Sequence, residues 1–516
     1  MLGISLVIVL IALDQTVVGT ALPSIVADLK GYSLYPWIAA VYLLTNAIFI
    51  PIIGRLGDIH GRKPFLIGAI ALFTVASVLC GFASSMLQLV IARALQGAGG
   101  GMLVGSAFAS VPDLFPDLKQ RVRWQVMLSS AFGISSALGP ALGGVMTEHL
   151  GWRSVFFVNV PIGVVALAMV WFYLPLTIHH KAKKSGLDWL GVLLLVAALF
   201  TLLLTSELGS SLGFMSLELW SLIFASLVFS YLFYRHQIQS AQPIVPAHLL
   251  GHSTVQLLAA LSFLSGMMLF ILVFYMPLLL QAGFSLSPKV SGGLVTPILV
   301  GITVGSIING RIITHIKPTR LIYLGGLAIM LFGLLMLTQA DQASFKSYLI
   351  FAYSCCGIGF GFQIPNLTLQ IQSAVAKADL GSSSALVQTM RTVGSMFGAS
   401  IGGLLVNLTF DSAIHKYFLE LGIRDSRVIS LFNTPQILIR QPDQARLISM
   451  GRDLGFDANA LIEQARLYLI GGIHFAMWLA IVIAILAMYL SFGLPNIKSS
   501  ERKISDTLAE SSEDFL

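Results

Sequence analysis

The sequence predicts an all-α integral membrane protein of fourteen transmembrane helices, arranged as two six-helix bundles with two extra helices between them. Of the 516 residues, 56% are hydrophobic and only 10% are charged, whereas soluble proteins carry roughly 25% charged residues. The mean hydropathy of +0.87 places most of the chain in lipid. Two glycine motifs recur in both ends of the chain at nearly the same offset, which indicates a duplicated unit.

Fourteen apolar runs have the length of roughly 20 residues that a helix needs to cross a bilayer. Because this number is even, we expect both termini on the same side of the membrane. The runs lie near 3–22, 37–55, 64–83, 86–110, 125–146, 154–175, 188–206, 217–234, 255–281, 289–310, 320–338, 346–366, 384–409 and 469–492.

The duplication rests on two motifs. The spacing Gly-x-Gly-x-Gly at 97–101 recurs at 357–361, an offset of 260. The spacing Gly-x-x-x-Gly-Gly at 139–144 recurs at 398–403, an offset of 259. Chance is the alternative, since small residues are common wherever membrane helices pack.

The repeat predicts four parts of the chain. An N-terminal six-helix bundle covers 1–175, and an inserted two-helix hairpin with its linkers covers 176–252. A C-terminal six-helix bundle covers 253–495 and includes an outer loop at 410–468 with one or two amphipathic helices. The polar tail at 496–516 is predicted to be disordered and cytoplasmic.

The positive charges orient the chain. With a cytoplasmic N-terminus, the inside segments hold 17 Lys and Arg residues and the short outside segments hold 4. The long loop at 410–468 is left out, because loops of this length largely escape the positive-inside rule. We therefore expect a multi-pass protein of the cytoplasmic (inner) membrane with both termini in the cytoplasm.

Several classes of partner and chemistry are not expected. The net charge of +7 is spread over separate short loops, so it does not indicate nucleic-acid binding. The three cysteines lie in apolar runs and form neither a disulfide framework nor a zinc spacing. No phosphate-binding G-x-x-x-x-G-K-[ST] motif is present for an ATP-driven motor. We expect no metal, no cofactor and no enzyme activity.

A glycine-rich basic turn at 54–66 joins two of the apolar runs. Its glycines allow close helix approach and unusual backbone angles, and its basic residues mark the cytoplasmic side. Its carboxylate is placed to accept hydrogen bonds from the amides of a helix N-terminus, where the helix dipole favours negative charge. The residues expected to act here are Gly54, Asp58, Gly61, Arg62 and Lys63.

This turn resembles the signature loop between helices 2 and 3 of major facilitator superfamily transporters, although Ile59 stands where that family usually has a basic residue. The resemblance implies the major facilitator fold and a latch that closes the cytoplasmic face. A plain topological role for the turn is the alternative.

Asp14 lies in the middle of the first apolar run. A carboxylate inside a membrane helix is costly, faces the bundle interior and is a functional candidate by default. It could exchange a proton or hold a cationic substrate, or it could pair structurally with a buried donor such as Arg93. The stretch 13–23 resembles the helix 1 signature of the fourteen-span drug:proton antiporters of the EmrB/QacA type, with Gly19 in place of the usual asparagine.

Arg93 and Gln96 lie within the fourth run. An arginine in a membrane span stays charged and needs a partner or water. The segment resembles the superfamily's helix 4 signature, whose arginine is implicated in proton coupling. Helix movement that changes the distance from Arg93 to Asp14 would then load or release a proton, and packing polarity alone is the alternative.

The fifth run carries closely spaced glycines and one proline. Such a helix presents a smooth face for close packing and bends at the proline. The pattern resembles the antiporter signature of the superfamily's exporters, which favours export over uptake. Its residues are Gly133, Gly139, Pro140, Gly143 and Gly144.

In the C-terminal half, Arg391 is the only charged residue predicted well inside a span. We assign it to the proton-coupling or substrate site with Asp14, Arg93 and Gln96. Polar residues of neighbouring runs could line a cavity beside it or form hydrogen bonds between helices. These residues are Asn309, Gln363, Asn366 and Gln388.

The resemblance implies a proton-coupled efflux transporter that exports amphipathic or cationic drugs by alternating access. Its partners would be a small-molecule substrate, protons and the lipid bilayer. One alternative is export of a specific metabolite, siderophore or lipid. Another is a pump subunit that works with a periplasmic adaptor protein, and a nutrient symporter is less favoured.

Overall fold

The computed structural model describes most of the chain, and all regular structure in the described part is helical. The predicted tail at 496–516 and the linker at 176–186 lie outside it. The described residues are 1–29, 34–115, 117–175, 187–212, 216–240, 242–313, 319–342, 344–376, 379–432, 435–439 and 441–495.

Helices of the N-terminal half are joined by very short turns, because polar caps and prolines stop and restart them. For example, Ser85 accepts a hydrogen bond from the Gln88 amide at 3.3 Å and begins the fourth helix. The helices are α1 (Leu2–Leu29), α2 (Tyr35–His60), α3 (Lys63–Gly81), α4 (Met86–Leu114), α5 (Leu118–Leu150), α6 (Ser154–Phe157) and α7 (Asn159–Tyr173).

The remaining helices form a hairpin, the C-terminal half and an outer cap. The hairpin is α8 (Trp189–Leu212) and α9 (Leu217–Gln239), followed by the short α10 (Ala247–Gly251). Then come α11 (Ser253–Leu278), which continues as a π-helical turn at Leu279–Gly283, and α12 (Pro288–Ile312), α13 (Thr319–Leu337), α14 (Lys346–Ala374), α15 (Leu380–Leu421), α16 (Ser426–Leu431), α17 (Gln441–Leu454) and α18 (Ala458–Ser491).

The prediction of a multi-pass membrane protein is confirmed, but the predicted number of fourteen spans is not. In the described part of the chain, twelve helices are long and apolar enough to cross a membrane. The α5 helix makes thirteen if its two segments, Gln120–Gly139 and Leu142–Leu150, are one span bent by 41°. The two segments meet between Gly139 and Leu142, where the sequence has a proline, which has no amide hydrogen to donate to the preceding turn. The apolar part of α8, Trp189–Thr205, is shorter.

The first glycine motif brings α4 against two neighbours. A Cβ atom at Gly97 would lie 2.8 Å from the Cα atom of Tyr42, and one at Gly101 would lie 3.0 Å from the backbone of Asn46, both on α2. At Gly99, a Cβ atom would lie 2.8 Å from the backbone of α3. Glycine is therefore required for these helices to touch along their backbones.

The repeated motif makes the same contacts in the C-terminal half. Gly357 and Gly361 face α12, where a Cβ atom at Gly361 would lie 2.6 Å from the Ser306 amide nitrogen. Gly359 faces α13, where a Cβ atom would lie 3.0 Å from the Met330 amide nitrogen. The helices α2, α3 and α4 thus correspond to α12, α13 and α14, as expected if the sequence repeat is structural.

The two halves contact each other through two pairs of helices, α5 with α12 and α2 with α15. The α5 helix of the first half packs on α12, where a Cβ atom at Gly133 would lie 3.2 Å from the Leu299 carbonyl oxygen. The α2 helix packs on α15, where a Cβ atom at Gly54 would lie 3.1 Å from the Gly381 carbonyl oxygen. In the hairpin, α8 contacts both α2 and α15, and α9 packs on α8.

The segment predicted as an outer loop, 410–468, is mostly helical in its described part. The α15 helix continues to Leu421 and α18 begins at Ala458, and between them lies a cap built of α16, a 3₁₀ turn at Pro435–Leu438 and the amphipathic α17. The apolar runs end earlier than the helices because the outer turns need only one apolar face to pack. The rings of Phe418 and Phe432 pack edge to face in the core of this cap, with their centroids 5.5 Å apart.

We expect the glycine contacts to limit stability. The substitution Gly361→Ala should lower the free energy of unfolding in detergent by about 1–3 kcal/mol, because the added methyl overpacks α14 against α12. The matched control is Gly325→Ala on α13, whose new Cβ would have no neighbour within 4 Å. Equal effects of the two variants would contradict the packing argument.

Candidate functional site

A buried ion pair lies at the centre of the N-terminal half. The Arg93 Nη1 atom donates to the Asp14 Oδ2 atom at 2.8 Å, which joins α4 to α1. The exposed fraction is 1% for Asp14 and 3% for Arg93. Two charges so far from water persist only if nearby groups satisfy their remaining hydrogen-bonding capacity.

Amide side chains complete the hydrogen bonding of the carboxylate. Its Oδ1 atom accepts from Gln96 Nε2 at 2.7 Å and from Asn159 Nδ2 at 3.1 Å. Gln96 also accepts from Arg93 Nη1 at 2.6 Å and donates to the Ser77 hydroxyl at 2.7 Å. The network therefore links α1, α3, α4 and α7 around one negative charge.

The cation has an aromatic partner as well. The Arg93 guanidinium lies over the Tyr42 ring, 4.2 Å from its centroid, and its Nε atom donates to the Ile38 carbonyl at 3.4 Å. A desolvated guanidinium gains about 2 kcal/mol or more from such a ring. The arrangement holds Arg93 in place through α2 in addition to Asp14.

Sequence reasoning paired Asp14 with Arg93 and found Gln96, but it missed Ser77, Tyr42 and Asn159. The signal for Asn159 was an amide at the start of an otherwise apolar helix. Ser77 and Tyr42 gave none, because serine and tyrosine are ordinary residues in membrane helices.

The α5 motif lies against the helix that carries Asp14. A Cβ atom at Gly139 would lie 2.7 Å from the Thr16 Cβ atom of α1. Gly133, almost two turns away, faces α12 of the other half. Gly144 has open space around it, and Gly143 is buried. The helix thus connects the surroundings of Asp14 with the second half of the molecule.

A second polar cluster joins the halves at the end of α2. The Asp58 carboxylate accepts from the backbone amides of Gly381 at 2.9 Å and Ser382 at 2.7 Å, and from the Ser382 hydroxyl at 2.7 Å. These are the free amides at the N-terminus of α15, where the helix dipole favours an anion. This is the hydrogen bonding that the sequence predicts for Asp58, and the structure identifies the helix.

Arg62 fixes this carboxylate from its own half. Its Nη2 atom donates to Asp58 at 2.7 Å, and its Nε atom donates to Asp113 at the end of α4. Gly61 has a φ of 84°, so the chain can turn between α2 and α3 within two residues. Sequence reasoning missed Asp113. An acidic residue at the cytoplasmic end of a span, where basic residues are expected, was a usable signal.

The N-terminus of α15 is also held by the linker after the hairpin. Asp379 precedes α15 and is hydrogen-bonded to His248 Nε2 of α10 at 2.9 Å, and it makes no capping bond to its own helix. Asp58 from the opposite half supplies that cap. A further hydrogen bond between the halves runs from Gln372 Nε2 to the Phe108 carbonyl at 3.4 Å.

Arg391 is not part of the Asp14 network. Its Nη2 atom donates to Gln388 on its own helix, and it forms no ion pair within the described ranges. The polar residues that were expected beside Arg391 bond to other partners. Asn366 donates to Asn309 at 3.0 Å, and Gln363 contacts the Met330 sulfur at 3.3 Å. Of the two roles that the sequence allowed for these residues, lining a cavity or bonding between helices, the structure shows bonds between helices for Asn309, Asn366 and Gln363.

Comparison with known proteins decides the family. A profile of the Major Facilitator Superfamily matches residues 4–399. The chain belongs to the major facilitator superfamily. It is therefore a multi-pass membrane transporter, and superfamily members handle small molecules.

Relatives within the superfamily are named as drug transporters. The chain is 31% identical to multidrug transporter protein MdtP of Bacillus subtilis over 399 residues, which cover 77% of this chain and 73% of the relative. It is 31% identical to multidrug resistance protein 3 of the same organism over 418 residues, or 81% of each chain. The solved structure of the human organic anion transporter MFSD10 (TETRAN) matches with a TM-score of 0.63 at 12% identity, covering 95% of this chain and 99% of that one, which shows the fold.

We expect the Asp14–Arg93 pair to be strongly coupled in this superfamily member. Removing either charge, by Asp14→Asn or Arg93→Gln, should cost about 3–5 kcal/mol of unfolding free energy, because the remaining charge is buried without its counter-ion. The double variant should lose clearly less than the sum of the two.

The three variants form a double-mutant cycle. Its control is the same cycle on Asp28 and Arg153, an ion pair at 2.8 Å whose side chains are about half exposed. Hydrogen bonds from Trp152 and Arg153 lower the pKa of the Asp28 carboxyl, yet a solvent-exposed pair of this kind contributes little to stability. Denaturant titration of both cycles in detergent is the measurement. Additive losses at Asp14 and Arg93 would contradict the coupling.

We expect Asp58 to hold the halves together. Ser383 lies unexposed in the first turn of α15, and the native cysteines are buried, so Ser383→Cys reports opening with low background. Adding Asp58→Asn should speed labelling by an impermeant thiol reagent about ten-fold or more, because charge-assisted bonds worth about 1.5–3 kcal/mol are lost. The control is Asp117→Asn, which removes the charge of an exposed N-cap residue of α5 that contacts only its own helix, at 3.1 Å from the Gln120 amide, and keeps a capping oxygen. Equal labelling rates in all three backgrounds would exclude a latch.

Proposed function

We propose that the protein is a proton-coupled exporter of amphipathic or cationic compounds, working by alternating access in the cytoplasmic membrane with both termini inside. The names of its relatives support drug efflux. We further propose fourteen spans, with α8 and α9 inserted between two six-helix bundles. The contact of α8 with both α2 and α15 supports this division.

One observation carries the proton-coupling step: a single buried carboxylate bonded to a guanidinium and two amides. A proton on Asp14 would cancel its charge and remove at least one acceptor, which frees Arg93 and Gln96 to move. Next to it on α1, Gln15 is exposed, and Gly19 one turn later has open space around it. This open side of α1 offers protons and substrate a route to the network.

The change at Asp14 can reach the other half through packed helices. The α1 helix meets α5 at Thr16 and Gly139, and α5 meets α12 at Gly133. A shift of α1 would therefore move the contact surface between the halves. In this proposal, Asp58 releases the N-terminus of α15 when the cytoplasmic side opens.

Ethidium efflux from cells tests the proposal. Wild type should expel the dye, a protonophore should stop it, and Asp14→Asn should abolish it even when the variant inserts normally. The control is Asp28→Asn, which removes an exposed acid on the same helix and should retain most of the efflux. Efflux that resists the protonophore, or survives Asp14→Asn, would overturn proton coupling through this residue.

Other cargoes keep the same mechanism. If correctly inserted wild type expels no cationic dye, metabolites, siderophores and lipids become the compounds to assay in loaded vesicles. A pump subunit with a periplasmic adaptor is supported by exposed apolar side chains around the outer cap, such as Leu419, Leu454 and Leu467. Co-purification with an adaptor would test that arrangement.

A further inference from the structure

A cavity of about 440 Å³ lies at the end of the N-terminal half that carries the latch. It is framed by the start of α1, the end of α4, the start of α5 and the end of α7. This volume falls in the range of small-molecule sites. Its lining is mostly apolar and consists of Met1, Leu2, Gly3, Ile4, Leu114, Phe115, Trp124, Met169, Val170, Tyr173, Leu174 and Pro175.

Aromatic rings form one wall of this cavity. Phe115 and Trp124 stack with their centroids 5.4 Å apart and their planes 21° from parallel. Tyr173 stands at the edge with 81% of its surface exposed. Aromatic residues of this kind concentrate where a bilayer meets water, so the cavity has the character of the headgroup level of the membrane.

Basic residues flank the cavity. A narrow cleft shares Leu114 and Leu174 with the cavity and continues to Lys63. Lys63 is half-buried and forms no ion pair within the part of the chain that the structure describes. A second basic residue, Arg121, donates to the carbonyl of Phe115, which lines the cavity, at 2.9 Å.

The other charged groups near Lys63 already contact one another. Arg62 and Asp113 line the same cleft, and Arg62 pairs with both Asp113 and Asp58. Asp58 in turn faces the amides of α15. Among the described residues of this cleft, Lys63 is the cation that forms no ion pair with a carboxylate.

We propose that this cavity binds an anionic phospholipid of the cytoplasmic leaflet, with an acyl chain beside Trp124 and the phosphate at Lys63. Apolar lining, interfacial aromatics and a basic mouth together fit a molecule that has a hydrocarbon chain and a negative headgroup. Basic pockets between helices on the cytoplasmic side recognise such headgroups. The site is separate from the Asp14 network and does not depend on the transported compound.

Its position gives the lipid access to the latch. Lys63 follows Arg62 in the chain, and Leu114 follows Asp113, so the phosphate and the acyl chain each contact a neighbour of the Arg62–Asp113 pair. Occupancy stabilises the arrangement in which Arg62 holds Asp58 against α15. The lipid composition of the membrane then becomes a regulator of opening.

Fluorescence quenching of Trp124 tests the site in the full-length protein. The protein is reconstituted in phosphatidylcholine nanodiscs that contain brominated phosphatidylglycerol or brominated phosphatidylcholine. Subtracting the signal of Trp124→Phe isolates Trp124 from the other tryptophans. Stronger quenching of Trp124 by the anionic lipid is the expected result, and equal quenching by both lipids overturns the proposal.

Two variants separate charge from shape. Lys63→Gln should weaken the preference for the anionic lipid about five-fold, whereas Arg123→Gln, an exposed arginine on α5 outside the lining, should leave it unchanged. Met169→Phe narrows the cavity without a change of charge and should reduce quenching by both lipids. Equal losses in Lys63→Gln and Arg123→Gln would indicate diffuse attraction and overturn the site.

Competition distinguishes the sources of the ligand. Brominated phosphatidylglycerol should resist displacement by inorganic phosphate, because the chain contributes most of the binding. Displacement by phosphate alone would reduce the site to an anion site and overturn the lipid assignment. Displacement by ethidium would make the cavity a substrate site and overturn it equally.

Discussion

The interior of this bundle depends on keeping one carboxylate and one guanidinium out of water. Neither Asp14 nor Arg93 is stable there alone, and their attraction offsets the desolvation cost only when the other hydrogen-bonding positions are filled. Gln96 fills them from the helix of Arg93, Asn159 and Tyr42 contribute from α7 and α2, and Gln96 also binds Ser77 of α3. The positions of five helices are consequently coupled to the charge of one residue, which is the condition that a proton-driven transporter has to meet.

Close backbone contact makes this coupling mechanical. Polar networks between lipid-embedded helices act over a few ångströms, so helices must approach one another without bulky side chains in between. Gly97 and Gly101 provide this in the first half, and Gly357 and Gly361 in the second. Since the contacts within each half are close along the backbone, we expect motion at the surfaces between the halves, where Gly133 and Gly54 lie.

The sequence predicts the helices well and the partners less well. Length and hydropathy place every apolar run on a helix, because lipid forces the backbone to satisfy its own hydrogen bonds. The Asp14–Arg93 pair follows from charge alone. The hydrogen bonds from Asn159 and Ser77 depend on helix rotation, and the partner of Asp58 is 323 residues away in the chain. The outer ends of α15 and α18 were missed because each helix continues beyond its apolar run. In these turns one apolar face is enough to pack against the cap.

The two halves differ in how their arginines are balanced. Arg93 is neutralised by Asp14, whereas Arg391 lies within a membrane helix with only Gln388 as its partner among the described side chains. A fixed charge at that depth lies inside the transmembrane electric field, where one elementary charge carried across the full potential is worth about 2.3 kcal/mol per 100 mV. Rocking of the C-terminal half would carry Arg391 through part of that field. An inside-negative potential then favours the conformation in which this arginine is nearer the cytoplasm, so voltage as well as pH would set the resting orientation of the transporter.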